Sequence, residues 1–573
     1  MSKETKFLSI AIGLLQGQLR EKGQSDPIVD GMDAERLVNF IRYAKVVCPG
    51  GKARTNEVDY PAPNKRNRFH RNGIPENCTE LGDVFIETTC KGLGTPAQVK
   101  FFKLLEGENF ENFDRVNGKI TMIRDITGFD GTLHRYLPEG RYFIEVSKGS
   151  EYEIITDSIE VKKDTLEKRY YELNRFIDLE KMGWIAGDNH HHSIYSSPAF
   201  GGDDDVVESP QDIANSMMAM GLGYGALSDH HNILGHKAWQ ALKREDFLPV
   251  ISKEISTSNG HVMAMGVDTD VIYNIPEQKD RTDEYLRSEF VRITNIIKDK
   301  GGLAQINHPR DLQRAISWNP AFNDMLDIFE TMEIWNGSNP MLPGSTNDLA
   351  RNLWHECMKK GLFLPATTGS DTHNICADDY HVLYDEILDT RDLIQLNTQE
   401  LSSKYPEEVK VYTLICESLL PILEKWAETN LTSGGVRTYV NIGIGSEHGK
   451  ARTPQKVMDA LRCGHSFLTN GPILLTTVNG KRPGEKLGDE DKEDNKLDIK
   501  IKLYSNRPLS KLQICTENGV VKEIILKATE ENGHYDYSFS LTENPLEYPH
   551  DHYIYFVAMD DCTNMAITNP VGM

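Results

Sequence analysis

The sequence has no apolar stretch that approaches the roughly 20 residues a helix needs to cross a bilayer, and it therefore predicts no membrane-spanning helix. Its nine cysteines lie far apart without a CxxC pair, which argues against a zinc ribbon or a dithiol redox site and indicates reduced thiols. Positive charge is also scarce, because 63 Lys and Arg face 86 Asp and Glu, a formal net charge of −23. This balance disfavours an extended surface for nucleic acid or anionic membranes, since both need clustered cations.

These absences favour a soluble protein, most simply a cytoplasmic one, whose partner is a small molecule. The one candidate targeting segment, Phe7–Leu15, is short, follows mixed charges and lacks a small-residue cleavage site, so we predict a helix there. Hydrophobic residues make up 39% of the chain and charged residues 26%, which is ordinary for a globular protein with several cores.

The length of 573 residues predicts three or four packing units, because single domains usually hold about 100 to 200 residues. Near the N-terminus, helical periodicity at Ala34–Val46 is followed by irregular chain at Pro61–Asn77. Changes of texture set the expected bounds, which are a helical and irregular segment at 1–80, a small β-sandwich at 81–165, an α/β unit at 183–472 with a helical insertion at 386–433, and an immunoglobulin-like β-sandwich at 473–573.

Within the α/β unit, short apolar runs typical of buried strands alternate with amphipathic helical patterns. One predicted helix begins at Ser209-Pro210, where Ser can cap and Pro is tolerated, and another occupies Asp283–Lys300 before a Gly pair. A repeated strand-helix unit indicates a closed barrel or an open parallel sheet. The predicted strands are Trp184–Gly187, Tyr224–Leu227, Leu248–Ser252, Val262–Val267, Leu303–Ile306, Met332–Trp335 and Phe363–Thr367.

Histidines and carboxylates recur just beyond these strands. In parallel α/β architectures the carboxyl ends of the strands meet at one edge, where ligand-binding groups collect. Six separate segments of the sequence are therefore expected to converge on one site. Their candidate residues are Asp188, His190 and His192, then Asp229, His230 and His231, then Glu254, His261 and His308, and finally Asp371 and His373.

The spacing of these residues points to metal binding. Because side chains alternate along an extended segment, His190 and His192 fall on the same side and can bind one cation. Imidazole nitrogen and carboxylate oxygen suit zinc, manganese or iron, and a carboxylate such as Glu254 can bridge two ions. Two ions about 3.5 to 4 Å apart can hold a hydroxide at neutral pH for attack on a phosphoryl or carbonyl centre.

Each motif by itself also has an ordinary interpretation. An HxH or an Asp-Thr-His can be surface or hydrogen-bonded residues, His308-Pro309 can simply end a strand, and Glu254 can form a salt bridge. The ordered recurrence at strand ends favours a common metal site, since the ordinary interpretation needs every group to lie there for an unrelated reason.

Taken in order, these motifs resemble those of the PHP metallohydrolases, named for polymerase and histidinol phosphatase. The resemblance covers residues 183–573 and is closest to the carbaryl-hydrolase-like (CehA/McbA) branch. It implies a distorted (β/α)7 barrel, here flanked by the N-terminal and C-terminal β-sandwiches. The motifs that carry it are GDNHHHS (187–193), LSDHH (227–231), KEISTSNGH (253–261), INHPR (306–310), TGSDTH (368–373), VRTYV (436–440), GHSFLTNGP (464–472) and ITNP (567–570).

The resemblance also implies a ligand set. Ligands of the first metal would be His190, His192, Glu254 and Asp371, and Glu254 would bridge to a second metal held by His261 and His308. A third site would use His230 and His373, but the family's Ser-Asp-Gly aspartate is replaced by Ser197. Either one of Asp203, Asp204 and Asp205 replaces that ligand, or two metals suffice and His230 and His373 contact substrate.

Four further residues near these motifs have expected roles. Asp188 is expected to orient a ligand histidine, a partner that metal sites usually need. His231 is either a proton donor to the leaving group or an exposed bystander. Arg310 is either a clamp for an anionic substrate or part of a surface salt bridge. His191 is expected to point away from the metals, because it alternates with its two neighbours.

The expected function is hydrolysis by two or three divalent ions (Zn, Mn or Fe) with a metal-bridging hydroxide, and a phosphoesterase is favoured with a small anionic substrate. The first alternative is a carbamate, ester or amide hydrolase of the carbaryl-hydrolase type. The second, from a different class, is a carbohydrate- or protein-binding module with a degenerate barrel. A homo-oligomer is compatible with the sequence but not indicated by any motif.

Overall fold

The computed structural model shows a mixed α/β protein with extensive sheets. The predicted irregular segment Pro61–Asn77 lies outside the described residues. Those residues are 3–47, 80–104, 107, 122–202, 204, 206–275, 277, 281–311, 316–337, 341–375, 387, 391, 394, 398–429, 433–443, 452–492, 496–527, 530–531, 533–543, 552–561 and 564–573.

The chain begins with three helices, α1 (Lys3–Glu21), α2 (Pro27–Asp30) and α3 (Ala34–Val47), where helices were predicted at Phe7–Leu15 and Ala34–Val46. The side chain of Asp26 caps α2 by accepting a hydrogen bond from the backbone N–H of Ile28. Across the described part of the chain, no helix is both long and apolar enough to cross a membrane.

Two four-stranded sheets follow, and their apolar faces share one core that includes Val84 and Ile86 from one sheet and Phe101 and Ile144 from the other. One sheet has the order β2-β1-β5 with β8 also paired to β1, and the other has the order β4-β3-β6-β7. The last strand reaches Glu172, beyond the expected bound of 165. The strands are β1 (Leu81–Cys90), β2 (Leu93–Gly94), β3 (Gln98–Lys103), β4 (Met122–Ile126), β5 (Thr132–Pro138), β6 (Gly140–Ser147), β7 (Ile155–Val161) and β8 (Leu166–Glu172).

Next comes the strand-helix region, in which seven strands lie side by side in chain order and every strand residue is buried. All the predicted strands are present, but the last one begins later than predicted, because Pro365 has no N–H to donate. The elements are β9 (Trp184–Asp188), α4 (Pro210–Ala219), β10 (Tyr224–Leu227), α5 (His236–Gln240), β11 (Leu248–Ile255), β12 (His261–Met265), α6 (Asp283–Asp299), β13 (Leu303–Asn307), β14 (Thr331–Asn336), α7 (Thr346–Lys359) and β15 (Ala366–Gly369).

Six of these seven strands share one direction, and β12 is antiparallel to both of its neighbours. Only residues 256–260 separate β11 from β12, which is too short for a parallel crossover of a dozen or more residues. The start of β12 therefore lies at the same edge as the carboxyl ends of the other six strands. This edge carries the candidate site.

The two ends of the seven-strand series meet without a continuous ladder among the described residues. An isolated parallel bridge joins His191 to Thr372, just beyond the ends of β9 and β15. The amide of Asn189 reinforces this contact by donating to the carbonyl of Thr368 (3.0 Å). The sheet thus curls until the segment after its first strand contacts its last strand and the segment that follows, and the closed barrel expected from the sequence is not seen as a complete ring of strand pairs among the described residues.

The chain then forms α8 (Thr398–Lys404), α9 (Pro406–Thr429), β16 (Arg437–Asn441), α10 (Pro454–Cys463) and β17 (Ser466–Thr469). Helices α8 and α9 belong to the predicted insertion, and they share a hydrophobic core with α1 and α3. Arg36 of α3 also pairs with Glu407 and Glu408 of α9, each at 2.8 Å. The N-terminal helices and the insertion are therefore one helical unit, which the sequence did not predict.

The C-terminal strands build a second sandwich, in which the sheet β18-β19-β23-β22 shares a core with β20, β24 and β25. Strand β25 also pairs with β17, which in turn pairs with β16. The central sheet therefore runs into this sandwich across the expected bound at 472. The strands are β18 (Ile473–Val478), β19 (Leu497–Ser505), β20 (Lys511–Thr516), β21 (Gly519–Ile525), β22 (Glu530–Glu531), β23 (His534–Glu543), β24 (Tyr553–Met559), β25 (Met565–Thr568) and β26 (Val571–Gly572).

Candidate metal centre

Nine His, Asp and Glu side chains converge at the carboxyl edge of the curled sheet. Together with Glu333, a tenth residue that contacts the ring of His190, they form overlapping groups in which each residue offers one ligand atom, and within each group these atoms lie within 4.8 Å of one another. Eight of the nine are the residues that the sequence analysis named as metal ligands, and the ninth is Asp204. The cluster consists of His190 and His192 after β9, Asp204 in the following loop, His230 after β10, Glu254 in β11, His261 at the start of β12, His308 after β13, and Asp371 and His373 after β15.

The first group contains His190, His192, Glu254 and Asp371. The Nε2 atom of His190 lies 3.2 Å from Nε2 of His192 and 3.2 Å from Oε2 of Glu254. The Oδ1 atom of Asp371 is 3.0 Å from Nε2 of His192 and 3.3 Å from Nε2 of His190. Two imidazole nitrogens and two carboxylate oxygens thus face one small volume.

Hydrogen bonds on the far side of each ring set the tautomers of these two histidines. The Nδ1 atom of His190 lies 3.1 Å from Oε1 of Glu333, a carboxylate that can only accept when ionised. The Nδ1 atom of His192 lies 3.1 Å from Oγ of Ser196, whose own hydrogen is donated to Asp229 (3.0 Å). When neutral, both rings therefore carry their proton on Nδ1 and direct the Nε2 lone pair into the first group.

The second group uses the other oxygen of Glu254. Its Oε1 atom lies 3.1 Å from Nδ1 of His261 and 3.1 Å from Nε2 of His308. The side-chain amide of Asn307 also donates to this oxygen at 2.8 Å. Because Oε2 faces the first group and Oε1 faces the second, Glu254 lies between two candidate cation positions.

The third group contains His192, His230, His373 and Asp204. The Oδ2 atom of Asp204 is 2.7 Å from Nε2 of His230 and 3.0 Å from Nε2 of His373. The backbone N–H of Asp204 donates to the carbonyl of Ser196, which ties the acidic segment back to the loop after β9. Asp204 therefore brings a carboxylate to His230 and His373, as one of the two alternatives left open by the sequence requires.

The pKa values of His190 and Glu254 show that positive charge is favoured between them. Burial lowers the pKa of His190, but the carboxylates of Glu254 and Asp371 outweigh this effect and hold it well above its usual value. Burial raises the pKa of Glu254, yet the neighbouring histidines hold it well below its usual value. The pKa of His192, which is buried beside His373 and His230, falls to about 3. A proton or a metal ion can supply this positive charge, but only a metal ion can bind the lone pairs of several imidazoles and carboxylates at once.

Unusual backbone angles also occur at this edge. His231, His308 and Asp371 have φ values of 62°, 25° and 49°, in the left-handed region that non-glycine residues rarely adopt. Such conformations cost about 1 to 3 kcal/mol each and persist where surrounding contacts over-determine them. The site is therefore held by its surroundings rather than by local preference.

Asp188, which was expected to orient a ligand histidine, contacts His190 through its backbone N–H and not through its ring. It is fully buried, and its carboxylate accepts the backbone N–H groups of His190 (3.2 Å), Ser370 (2.9 Å) and Gly434 (3.0 Å). Burial raises its pKa to about 6. Asp188 thus joins the loops after β9 and β15 to the chain before β16, while the partners of the ligand rings are Glu333 and Ser196.

Sequence reasoning missed Glu333 and Ser196 as ring partners. The available signal for Glu333 was a lone carboxylate inside the apolar strand predicted at Met332–Trp335, where an unpaired charge would be costly. His191 is buried with its Nδ1 atom 3.0 Å from the carbonyl of His192 and its Nε2 atom 2.8 Å from Ser433 Oγ. It lies in none of the ligand groups, in agreement with the strand alternation.

His231 and Arg310 follow the candidate ligands His230 and His308 in the chain. His231 is exposed, and its backbone N–H donates to the carbonyl of Glu254 (3.2 Å). Arg310 is half-buried and donates to the carbonyl of Pro309 (3.1 Å) and to Oδ1 of Asn323 (3.2 Å). Among the described residues no carboxylate lies within ion-pair distance of its guanidinium, so the salt-bridge alternative has no partner there.

The donor set fits divalent cations of the zinc, manganese and iron type. These ions take imidazole nitrogen and carboxylate oxygen together, and first-row sites keep such ligands buried and oriented by outer hydrogen bonds. The residues that would hold them are the four of the first group, Glu254 with His261 and His308 in the second, and Asp204 with His230 and His373 in the third. Several buried groups of this protein can therefore hold metal ions.

Comparison with known proteins adds little to this geometry. No protein-family model and no curated protein match the chain. One solved structure that matches is a glycosyl hydrolase family 2 member from Bacteroides cellulosilyticus, with 11% sequence identity over 83% of this chain and 59% of that chain, at a TM-score of 0.18. The chain spans less than two thirds of that neighbour's length, and so low a TM-score supports no conclusion about fold or activity.

Proposed function

We propose that this protein is a metal-dependent hydrolase that acts on phosphate esters with two or three divalent ions. The observation that carries the proposal is the position of Glu254, whose two carboxylate oxygens face different ligand groups at 3.1 to 3.5 Å. A carboxylate shared in this way holds two ions at the short separation typical of hydrolytic bimetallic sites, about 3.5 to 4 Å.

Bound ions of this kind would lower the pKa of a coordinated water and stabilise the charge that develops on a phosphoryl oxygen. The protein itself supplies orientation. His190 and His192 are locked as Nδ1–H tautomers by Glu333 and Ser196, so their lone pairs need no rearrangement when a cation binds. The burial of both rings excludes competing water from the ligand side.

Charge arithmetic favours an anionic substrate. The carboxylates of Glu254, Asp371, Asp204 and Glu333 contribute −4, and three divalent ions would contribute +6, so +2 would remain at the site. Arg310 follows the candidate ligand His308 by two residues and forms no ion pair within the described part of the chain, so its guanidinium is proposed to turn toward a bound anion. A phosphate monoester, which carries up to two negative charges, matches this field better than a neutral carbamate.

His231 is the proposed proton donor to the leaving group. It directly follows the ligand His230, and its ring centroid lies 5.6 Å from the centroid of that ring. Its left-handed backbone turns it out of the ligand groups, and its exposure leaves it open to exchange protons with solvent. An imidazole beside the candidate ligands can serve as a general acid in this step.

We further propose that the curled sheet is the distorted (β/α)7 barrel of the PHP metallohydrolases, in the carbaryl-hydrolase-like branch. Three features support this proposal: seven adjacent strands in chain order, the contact at His191 and Thr372 between the segments that follow the first and last strands, and ligands at one edge of the sheet. The sequence motifs that resemble this family supply the ligands found at these strand ends, apart from Asp204.

The experiment measures bound metal and hydrolysis together. Purified protein is analysed for zinc, manganese and iron, then assayed with p-nitrophenyl phosphate, bis(p-nitrophenyl) phosphate, 1-naphthyl acetate and 1-naphthyl N-methylcarbamate. We expect two or three equivalents of metal and a preference for the phosphate monoester. His190→Ala and Asp371→Asn should each lose at least about 100-fold in activity, because each removes a direct ligand.

The control is His134→Ala, which removes an exposed histidine of the N-terminal sandwich. Turnover of the carbamate or the acetate without phosphatase activity would replace the phosphoesterase by the carbamate or ester hydrolase. Full metal content without turnover of any substrate would favour a binding module. A wild-type protein without bound metal, or unchanged metal content in both ligand variants, would contradict the metal centre itself.

A further inference from the structure

Glu333 is a fully buried carboxylate in β14 whose hydrogen bonds all lead to the metal centre. Its Oε1 atom lies 3.1 Å from Nδ1 of His190. Its Oε2 atom accepts the backbone N–H of His308 (2.8 Å) and the side-chain amide of Asn336 (3.0 Å). The same amide nitrogen of Asn336 lies 3.2 Å from Oδ2 of Asp371. One carboxylate is thus connected to candidate ligands after three different strands.

We infer that Glu333, assisted by Asn336, is the positioning residue that preorganises this centre for its metals. The inference rests on the proposed metal-dependent function. Glu333 fixes the His190 ring with its proton on Nδ1, so that Nε2 is free to coordinate. It also fixes the place where the chain turns at His308, and through Asn336 it steadies the carboxylate of Asp371.

The backbone angles explain why such an anchor is needed. His308 and Asp371 have φ values of 25° and 49°, which their side chains disfavour. Without an external partner, the chain at these two residues would relax toward ordinary conformations and carry the ligand atoms away from one another. The Glu333 carboxylate bonds directly to the first of these residues and indirectly to the second.

Only a carboxylate satisfies all of these donors. An ionised carboxylate offers acceptor positions on both oxygens and no proton, and the three groups that face Glu333 all donate. In the Glu333→Gln variant one oxygen would be replaced by an NH2 group, which would point a donor at either the imidazole N–H or the backbone N–H. A clash of two donors in a fully buried place forces either the His190 tautomer or the His308 turn to change.

A direct ligand role for Glu333 fits the contacts less well. Ligand atoms of His190, His308 and Glu333 do lie within 4.8 Å of one another. However, a metal on this side would require His190 to coordinate through Nδ1, while its Nε2 atom faces the first group at 3.2 to 3.3 Å. The Oε2 atom of Glu333 is already engaged by two N–H donors. These contacts therefore favour a positioning role for Glu333 over a role as a metal ligand.

The test compares the Glu333→Gln variant with the matched Glu330→Gln variant. Glu330 lies just before the same strand and also accepts a backbone N–H, from Ala304 at 3.0 Å, while it pairs with Arg462 at 2.6 Å. Metal-free protein is titrated with zinc and with manganese against a chromophoric chelator, and thermal melting of the metal-free forms is recorded. We expect Glu333→Gln to weaken binding about 10- to 100-fold at unchanged stoichiometry, and Glu330→Gln to bind as the wild type does.

A second readout reports the tautomer directly. In protein labelled with 15N-histidine, the wild type should show a His190 ring protonated at Nδ1 once zinc is bound, and Glu333→Gln should lose or shift that signal. Should Glu333→Gln not fold, Asn336→Ala takes its place, because it removes the link to Asp371 and leaves the carboxylate in position. We expect about a 10-fold weakening for Asn336→Ala, a value at the lower end of the range for outer partners of metal ligands.

Each outcome has a definite meaning. Wild-type affinity in a folded Glu333→Gln protein, or in Asn336→Ala where that variant is used, overturns the inference. Loss of one whole equivalent of metal also overturns it, since Glu333 would then be a ligand. Equal weakening in the Glu330→Gln control would assign the effect to general destabilisation and likewise overturn it. Absence of metal from the wild type would instead overturn the proposed function, so the two failures are distinguishable.

Discussion

Asn569 offers a quantitative test of how the C-terminal strands support the metal-bearing sheet. Its side chain is fully buried and spans two segments, accepting the backbone N–H of Ala366 (2.7 Å) and donating to the carbonyl of Ala366 (2.9 Å) and to Oγ of Ser466 (2.8 Å). Ala366 opens β15, the strand that leads to Asp371. The side chain thus takes the place of a neighbouring strand at this point.

The Asn569→Ala variant should be markedly destabilised. It leaves the fully buried N–H and C=O of Ala366 without partners, and each such group costs about 1 to 3 kcal/mol. With about 1.5 kcal/mol for each group, the loss is about 3 kcal/mol. For a cooperative unit of roughly 390 residues with an unfolding entropy of about 2.1 cal/mol/K per residue, this loss lowers Tm by about 4 °C.

The assay is differential scanning calorimetry of the full chain, with and without added zinc. Asn174→Ala is the control, because it removes an exposed amide that bonds only to Glu153 (2.7 Å) and should change stability by less than about 0.5 kcal/mol. A fall in Tm no larger than that of the control would refute the reasoning. It would mean that β15 does not depend on the C-terminal segment.

Three further predictions concern the ions, the substrate and pH. Asp204→Asn should lose one equivalent of metal and keep the others, because Asp204 contributes only to the third group; metal analysis of the purified variant measures this. Removal of all ions by a chelator should lower Tm, and addition of zinc should restore it, since a ligand at 100 times its Kd adds about 2.7 kcal/mol to the free energy of unfolding. Arg310→Ala should raise KM for a phosphate monoester about 10-fold or more and leave neutral esters nearly unchanged, which steady-state kinetics with both substrates measures. Burial lowers the pKa of Lys148 from its ordinary 10.5 to about 8. At this residue the unfolded chain therefore binds more protons between these values, so the contribution of Lys148 to the free energy of unfolding should rise with pH across that window, as measured by urea midpoints of the wild type and Lys148→Met.

Each of these predictions has a matched comparison. Adding Ser197→Asp to the Asp204→Asn variant should restore the lost equivalent of metal only if the new carboxylate reaches the third group. Full metal content in Asp204→Asn alone would contradict the ligand role of Asp204. An unchanged melting curve after chelation would contradict structural binding of the ions. Equal losses of phosphate and neutral-ester activity in Arg310→Ala would argue against an anion clamp. For Lys148, the Lys148→Met variant should gain less stability than the wild type as the pH rises from about 8 to 10.5, and parallel pH curves for the two proteins would contradict the assignment.

The ligand residues were predictable because their spacing follows the geometry of strands. The HxH places the rings of His190 and His192 toward one ligand group, as the alternation of side chains along an extended segment predicts. Asp371 and His373 lie beyond the last strand, and the left-handed backbone of Asp371 helps to separate them into different ligand groups. The strands themselves were predictable from short buried apolar runs between turns. The type and order of the elements needed no knowledge of distant contacts.

Other parts of the centre could not be predicted in this way. Asp204 has two acidic neighbours in the sequence, and only the folded loop, tied by its backbone to Ser196, selects it. Glu333 looks like one charged residue in an apolar strand until His190, His308 and Asn336 are brought against it. The short loop before β12 explains why this strand runs antiparallel to its neighbours. That His261 thereby lies at the same edge as the other ligands is visible only once the neighbouring strands are in place.

The sequence by itself thus determined the strands, the helices between them and eight of the nine residues of the cluster, because these depend on local periodicity and residue chemistry. Only the tertiary structure decided which oxygens of Glu254 face which group, that Asp204 completes the third group, and that Asp188 binds backbone while Glu333 orients His190. It also decided that the N-terminal helices join the insertion and that β25 extends the central sheet. These features depend on contacts between residues far apart in the chain, whose pairing is set by packing and by the need of buried polar groups for partners.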